Sequence, residues 1–249
     1  MQINAFIFVY NEEAMIENCI LNARKQGLYP IVIDNGCTDG TMGIVKGMCV
    51  PMYEHITTNY NVYEFNEWAI ARMKEMGCDW YVQLDADEVF ESYGEETVAE
   101  VVSEADAGGY NCIRFDLYEF WPTEDDDMGI TDIAERIRYY SYYDDNHLKL
   151  IKNSPEINTI CSHRPRGELR EYPEHLIMRH FKFVGLEQGR QKVKDRLARF
   201  FTTTGVNMQY NEFTNASRFY VLPEEVYSGL NKFDGTWIKE KVFNGWRGY

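Results

Sequence analysis

The stretch WYVQLDADE, residues 80–88, decides the fold that the sequence predicts. Its apolar run is rich in strand-forming residues and passes directly into Asp85, which predicts a buried strand that leads into an acidic segment. Side chains two residues apart on an extended segment point the same way, so Asp85 and Asp87 are predicted to converge, with Ala86 facing away. Converging carboxylates repel each other unless a cation lies between them, and their oxygen atoms suit Mg²⁺ or Mn²⁺. An acidic turn after a strand is the ordinary alternative.

Two further strands are predicted before this stretch, and each leads into polar residues. Residues 3–10 form an apolar, β-branched and aromatic run that is followed by Asn11, and residues 30–34 form a second run that ends at Asp34. We expect Asn11 to cap a helix that follows the first strand and Gly27 to close that helix. Three strand ends then meet at one edge of a sheet, where open α/β folds bind their ligands, and this favours the metal site over the acidic turn.

The rest of the chain divides into two halves. The other elements predicted in the first half are helices at residues 65–76 and 95–105 and a strand at residues 110–117. Past Trp121 the alternation of strands and helices ends, and an amphipathic, basic helix is predicted at about residues 186–202. We therefore expect a mostly parallel α/β half over residues 1–120 and an α+β elaboration of the same domain over residues 121–249.

The composition restricts both the partners and the compartment. The 249 residues include 25 Lys and Arg against 40 Asp and Glu, a formal charge of −15, which excludes a nucleic-acid binder that works by neutralising phosphates. The N-terminal apolar run stops at Asn11, and no stretch approaches the apolar length that spans a bilayer, so we expect neither a signal peptide nor a membrane segment. The six cysteines form no CxxC pair, as is typical of reduced thiols. We therefore expect a cytoplasmic protein.

Three motifs, in order, carry a resemblance to a known family. VYNEE (residues 9–13), IDNGCTDGT (residues 33–41) and WYVQLDADE together resemble the motifs of family 2 glycosyltransferases, which have the GT-A fold. The resemblance covers the first half of the chain. It implies an enzyme that moves a sugar from a nucleotide-diphosphate donor, here a UDP-sugar, to a saccharide or other hydroxyl acceptor, with inversion at the anomeric carbon. Residues 1–120 are then the nucleotide-sugar-binding half, and residues 121–249 are the acceptor-side half.

The resemblance also implies which residues form the donor site. The residues expected to contact the nucleotide are Phe8, Val9, Tyr10, Glu12, Asp34, Asn66 and Asp85. Asp85 and Asp87 match the motif that holds a divalent metal, Mn²⁺ or Mg²⁺, on the diphosphate, and a late histidine, here His180, often completes the metal shell in such enzymes. The chain departs from the family at Phe8, where a small or polar residue is frequent, and it lacks an Arg or Lys just before Asn66.

The general base has no motif of its own. An acceptor hydroxyl needs a carboxylate within hydrogen-bond reach on the opposite side of the sugar. The candidates are Glu168 first, then Asp145 and Asp116.

The second half also contains basic residues and histidines. His163 and His175 are further candidates for the metal shell. Residues 161–200 hold ten Lys and Arg against five Asp and Glu, which reverses the global balance. These basic side chains either meet the diphosphate or an anionic acceptor, or they form a solvated helix face. The basic candidates are Arg164, Arg166, Arg179, Lys182, Arg190 and Lys194.

Two other functions remain open at this point. A metal-dependent nucleotidyltransferase would also use a parallel sheet and metal carboxylates. It would normally carry a Gly-rich loop with Lys or Arg after the first strand, where this chain has Asn11-Glu12-Glu13. The other alternative is a catalytically inactive GT-A-like binding module, against which the intact Asp85 and Asp87 argue.

Overall fold

The computed structural model describes residues 1–57, 62–159, 165–200 and 230–239. The chain forms two compact units. The first comprises Met1–Thr57, Asn61–Leu117 and Asp145–Met178, and the second comprises Thr58–Tyr60, Tyr118–Asp144 and Arg179–Tyr249. The first unit therefore includes residues from both sides of the predicted boundary at residue 120, and that boundary stays a prediction.

Strands and helices alternate at first and strands then dominate. The early elements are β1 (Ile3–Val9), α1 (Ile16–Lys25), β2 (Tyr29–Asp34), α2 (Thr41–Gly47), β3 (Met52–Glu54), α3 (Val62–Glu75), β4 (Trp80–Asp85), β5 (Glu88–Glu91) and α4 (Val98–Ala107). The later ones are β6 (Cys112–Trp121), α5 (Ile133–Arg136), β7 (Tyr139–Lys152), β8 (Ile157–Thr159), β9 (Pro165–Gly167), β10 (Leu176–His180), α6 (Leu186–Phe200) and β11 (Asn231–Lys232). In the part of the chain that the structure describes, no helix is long and apolar enough to cross a bilayer.

A mixed sheet organises most of these strands. Among the described residues its order is β3-β2-β1-β4-β7-β6-β10-β5, and β11 pairs with β7. The strands β1, β2, β3 and β4 run parallel, and β7 runs antiparallel to β4. The predicted α/β fold, with a mostly parallel core and helices packed against it, is confirmed.

Burial explains why the central strands are continuous apolar runs. All seven residues of β1 are buried, and β2 and β4 are each exposed at one terminal residue. A strand that is covered on both faces has no solvent side and therefore shows no polar alternation. The buried positions of α1 are Ile16, Cys19, Ile20 and Ala23, which recur at helical spacing. Both faces of the strand predicted at residues 110–117 are largely covered as well, because Cys112 and Asp116 are buried in β6 together with Ile113, Phe115 and Leu117.

The chain after β1 differs from the prediction. Asn11 does not cap a helix, because α1 begins at Ile16 and Asn11 has a positive φ of 54°. Its side-chain oxygen instead accepts a 2.8 Å hydrogen bond from the amide of Thr38, which joins the end of β1 to the loop after β2. The prediction that Gly27 closes the helix is confirmed. Its φ is +78°, and a Cβ there would lie 2.7 Å from the Cβ of Ala99.

The remaining boundaries follow the predictions more closely. The helices α3 and α4 lie where they are predicted, and α4 starts later because Thr97 caps it. The Thr97 side chain accepts from the amide of Glu100, and the Glu100 carboxylate accepts from the amide of Thr97. The elements α2 and β3 are absent from the prediction. Two glycines, Gly43 and Gly47, weaken the helical signal of α2, and the three residues of β3 are all exposed.

Candidate active site

Three strands of the first unit end side by side. In the parallel register, Asp34 of β2 is the neighbour of Val9 in β1, and Asp85 of β4 is the neighbour of Phe8 on the other side of β1. Paired strands lie about 4.8 Å apart, so the backbones of these four residues form a short row at one edge of the sheet. The structure therefore brings together four of the predicted nucleotide-binding residues.

Asp34 is oriented by the turn that follows it. Its Oδ1 accepts hydrogen bonds from the amides of Gly36 (3.0 Å) and Cys37 (2.9 Å), and its carbonyl accepts one from the amide of His55 (2.9 Å). Gly36 has a φ of +90°, which residues with a side chain rarely adopt, so this turn depends on glycine. Asp34 is buried, and the hydrogen bonds from the Gly36 and Cys37 amides both go to the same carboxylate oxygen.

The end of β1 continues into a buried acidic residue. The amide of Glu12 donates to Oγ1 of Thr41 (2.9 Å), and its carbonyl accepts from the amides of Met15 and Ile16, where α1 begins. Glu12 is buried and Tyr10 is half-buried. The backbone of Glu12 is therefore anchored to both α1 and α2.

The acidic segment after β4 does not continue the strand. Asp85 is the last residue of β4, Ala86 and Asp87 form a turn, and β5 starts at Glu88. Asp85 is exposed, whereas Ala86 and Asp87 are buried. The expectation that Asp85 and Asp87 converge by alternation along an extended segment is therefore wrong in its premise. The turn, and not the pleat of a strand, sets the directions of their side chains.

A buried ion pair holds this turn. The Nζ of Lys149, in β7, lies 2.5 and 2.7 Å from the two carboxylate oxygens of Glu88. The Oε2 atom of Glu88 also accepts a 2.9 Å hydrogen bond from the amide of Asp85. Sequence reasoning missed Lys149, because 61 residues separate it from Glu88 and no local pattern connects the two.

The charges of this segment affect the pKa of a nearby buried thiol, that of Cys19. Burial raises the pKa of Cys19 well above its ordinary value, and the negative charges of Glu88, Asp87 and Asp85 raise it further. The ammonium of Lys149 acts in the opposite direction. The three carboxylates therefore produce a local negative potential that Lys149 offsets in part.

Comparison with known proteins decides the family. The family described as glycosyl transferase family 2 matches residues 5–162, which is more than half of the chain. The chain belongs to this family. It is therefore a glycosyltransferase, and the nucleotidyltransferase alternative is not retained. No curated protein sequence matches the chain.

The chain is also similar, at low identity, to two proteins of solved structure. The structure of S. aureus TarS 1-349 is 12% identical with a TM-score of 0.44, and the match covers 87% of this chain and 71% of that chain. Glucosyl-3-phosphoglycerate synthase from Mycobacterium tuberculosis, in complex with Mn²⁺, UDP and glucosyl-3-phosphoglycerate, is 18% identical with a TM-score of 0.33. That match covers 49% of this chain and 44% of the synthase. Identities this low do not transfer a substrate.

Asp85 and Asp87, the candidate metal ligands of this glycosyltransferase, suit a divalent cation that also contacts a substrate. Within the described ranges, no group of three or more His, Cys, Asp or Glu side chains is arranged to hold a metal ion. The carboxylates of Asp85 and Asp87 still fit Mg²⁺ or Mn²⁺, because such an ion takes oxygen ligands and keeps positions for substrate phosphates. The carboxylate of Glu88 is not counted among these ligands, because both of its oxygens already contact Nζ of Lys149.

His180 belongs to the second unit and has a carboxylate partner there. Its Nδ1 lies 3.2 Å from Oε1 of Glu119. A carboxylate on one ring nitrogen is the arrangement that orients the ring of metal-binding histidines. The local geometry of His180 is therefore that of an oriented imidazole.

Arg179, also in the second unit, is packed among aromatic side chains. The guanidinium is buried, its carbon lies 4.6 Å from the ring centre of Phe120 and 5.3 Å from that of Phe233, and it donates to the carbonyl of Ala134. Aromatic faces attract a cation, and these contacts commit Arg179 to the packing of this unit. Of the two roles open for the basic residues, the solvated helix face is excluded for Arg179, which is buried in β10, and these contacts give no support to a contact with the diphosphate.

Asp116, a candidate base, is part of a polar network. Its Oδ2 accepts from the hydroxyl of Tyr93 (2.7 Å), and its Oδ1 lies 3.0 Å from Nδ1 of His175. Beside them, Arg114 donates two hydrogen bonds of 2.6 and 2.8 Å to the carboxylate of Glu171. Both oxygens of Asp116 are thus engaged, and so is a ring nitrogen of His175.

Glu168, the first candidate for the base, lies toward the other end of the sheet. Its carbonyl accepts a 2.7 Å hydrogen bond from Nδ2 of Asn111, whose own carbonyl accepts the amide of Lys152. Lys152 pairs with Trp80, the first residue of β4, whereas Asp85 is the last. The strand between them is about 17 Å long, so the structure does not bring Glu168 to Asp85.

Four predicted residues have no described side chain. Asn66 and Asp145 are assigned to α3 and β7, but their side chains lie outside the described residues. All of His163 and all of Arg164 lie outside them as well.

Proposed function

We propose that the chain transfers a sugar from a UDP-sugar to a saccharide or another hydroxyl acceptor, with inversion at the anomeric carbon. The observation that carries the proposal is the register that aligns Asp34, Val9 and Asp85 at one sheet edge. Open α/β sheets bind ligands beyond the carboxyl ends of their strands, and this edge is the carboxyl end of β1, β2 and β4. Membership in glycosyl transferase family 2 supports the reaction class.

The proposed donor site combines the base-binding residues with the acidic turn. Its members are Phe8, Val9, Tyr10, Glu12, Asp34, Asn66 and Asp85. Asp34 would accept a hydrogen bond from the base, because the amides of Gly36 and Cys37 already hold its carboxylate in place. Asp85, which is exposed at the end of β4, would face the diphosphate.

The proposed metal is Mn²⁺ or Mg²⁺, held by Asp85 and Asp87. When bound, such an ion offsets the negative charge that develops on the leaving diphosphate. Asp87 is buried in the turn and Asp85 is exposed, so one carboxylate is fixed by packing while the other is open to a substrate. The participation of His180 stays a prediction, supported by its contact with Glu119.

Among the three candidate bases, the structure supports a change of order. Both oxygens of Asp116 already have partners, and Glu168 lies toward the opposite end of β4 from Asp85. We therefore propose that Asp145 is tested first as the group that takes the proton of the acceptor hydroxyl.

We also propose that the enzyme acts in the cytoplasm on a nucleotide-sugar donor and a glycan or other hydroxyl acceptor, and not on nucleic acid. The described cysteines support a reducing compartment, since they are free thiols. They are Cys19, Cys37, Cys49, Cys78 and Cys112. The net charge of −15 supports the exclusion of nucleic acid.

The test is a calorimetric titration of the full chain with UDP in the presence and absence of Mn²⁺. We expect Mn²⁺-dependent binding that collapses in Asp87→Ala, because the diphosphate loses its link to the turn. Glu95→Ala is the matched control, since Glu95 is an exposed acidic residue that lies outside the turn and β5. Undiminished binding in Asp87→Ala would contradict the proposal. Release of UDP from a UDP-sugar in the presence of metal would exclude the inactive binding module.

A further inference from the structure

The turn between β4 and β5 is held from another strand of the first unit. Lys149 of β7 contacts both carboxylate oxygens of Glu88, at 2.5 and 2.7 Å. Glu88 in turn accepts the amide of Asp85 at 2.9 Å. A continuous series of contacts thus leads from Lys149 through Glu88 to the backbone of Asp85, which begins the acidic turn.

Burial makes this series of contacts obligatory. The side chain of Lys149 is 1% exposed and that of Glu88 is 5% exposed. A carboxylate that is removed from water needs a partner, and the adjacent charges of Asp85 and Asp87 make a third, unpaired negative charge still less favourable.

We propose that Lys149 and Glu88 are positioning residues for the metal site, and that they act through the amide of Asp85. Lys149 fixes Glu88, and Glu88 fixes the turn that presents Asp85 and Asp87 to the metal-bound diphosphate. Glu88 is not itself a ligand, because Lys149 engages both of its oxygens. The inference rests on the proposed function, and it assigns a metal-site role to a strand that carries none of the sequence motifs.

Two double variants separate positioning from general stability. Glu88→Gln with Lys149→Met removes both buried charges and keeps an oxygen that can accept the Asp85 amide. Glu88→Leu with Lys149→Met removes both charges and also the acceptor. Replacing a complete buried ion pair by uncharged groups avoids an unpaired charge, so we expect both double variants to fold.

The measurement is the Mn²⁺ affinity of the full chain with UDP present, from the electron paramagnetic resonance signal of unbound Mn²⁺. Loss of a partner that orients a metal ligand typically weakens metal binding by about 10–100-fold, and we expect this loss in the Leu double variant but not in the Gln double variant. Urea unfolding of each variant confirms that the compared samples are folded. Lys152→Met is the matched control, because Lys152 lies on the same strand as Lys149. Lys152 pairs with Asp106 at 2.6 Å, and their side chains are 38% and 35% exposed. Removing this exposed pair should leave Mn²⁺ binding unchanged.

Each outcome decides the proposal. Equal Mn²⁺ affinity in the wild type and both double variants would overturn it, and so would an equal loss in both doubles or a comparable loss in Lys152→Met. Absence of Mn²⁺ uptake by the wild type would overturn the proposed function, and this inference with it. If a double variant does not fold, Glu88→Asp replaces it. Its shorter side chain cannot reach both Lys149 and the Asp85 amide, so unchanged Mn²⁺ affinity there would also overturn the proposal.

Discussion

Two ionic networks of the first unit differ in their contact with water. The pair of Lys149 and Glu88 beside the acidic turn has side chains that are 1% and 5% exposed. The pair of Arg114 and Glu171, next to Asp116, has side chains that are 25% and 32% exposed. Both pairs are short, and each engages both oxygens of its carboxylate. In the first pair the single Nζ of Lys149 contacts both oxygens of Glu88, and in the second two nitrogens of Arg114 each contact one oxygen of Glu171.

The difference in exposure determines what each network can do. When water reaches a pair, it solvates the partner that remains after a mutation, so the loss is small and the local geometry relaxes. When water is excluded, the remaining charge has no solvent to replace its partner, and the surrounding backbone must move or unfold. A segment that has to present two carboxylates in a fixed direction is therefore better anchored by the buried pair than by the exposed one.

The largest effect on stability is expected for Lys149→Met. This change leaves the Glu88 carboxylate buried and unpaired, which should lower the free energy of unfolding by about 3–5 kcal/mol. Urea denaturation followed by circular dichroism measures it. The control Lys152→Met removes an exposed pair of the same strand and should cost less than about 1 kcal/mol. Equal losses in the two variants would break the distinction between buried and exposed pairs.

A smaller effect is expected for Arg114→Met. The pair with Glu171 has good two-point geometry, but water reaches both groups, so the free energy of unfolding should fall by about 1 kcal/mol. The same urea denaturation measures this loss at neutral pH. A loss as large as that in Lys149→Met would contradict the account.

The Arg114 variant should also change the pH dependence of stability. The hydrogen bonds from Arg114 lower the pKa of Glu171 from its ordinary value of 4.5. A carboxyl whose folded pKa is lowered contributes stability above its unfolded pKa, and that contribution is lost as the pH falls through the folded pKa. Unfolding measured from neutral pH to well below 4.5 should therefore show a smaller acid loss in Arg114→Met than in the wild type. An identical acid profile would show that this pair does not contribute to the acid sensitivity.

The smallest effect is expected for Tyr93→Phe. This change removes the hydroxyl that donates to Asp116 at 2.7 Å, but Tyr93 is exposed and water can replace it. The free energy of unfolding should fall by about 0.5 kcal/mol, a difference that paired urea titrations can resolve. A loss larger than that in Arg114→Met would reverse the expected order of these two variants.

The fold and the row of strand ends were predictable because their causes are local. The apolar runs before Asp34 and Asp85 are continuous because buried parallel strands have no solvent face, and parallel strands necessarily place their carboxyl ends at one edge. Gly27 could be assigned as a helix end because a positive φ is a property of one residue and its neighbours.

The parts that could not be predicted depend on contacts distant in sequence or on turn geometry. Lys149 meets Glu88 only because β7 enters the sheet beside β4, and an isolated lysine in a strand carries no sign of its partner. The turn at Ala86 and Asp87 interrupts a segment whose pattern is equally compatible with an extended strand. Glu168 is a candidate base through its chemistry alone, since the sequence contains no information on which end of the sheet its loop reaches.

The most direct test of the central claim is a crystal structure of the enzyme with Mn²⁺ and UDP. The account predicts Mn²⁺ bound by carboxylate oxygens of Asp85 or Asp87 and by the diphosphate, with the base hydrogen-bonded to Asp34. It also predicts that Glu88 still contacts Lys149 and the Asp85 amide. A metal bound by Glu88, or UDP bound away from the edge formed by β1, β2 and β4, would contradict it.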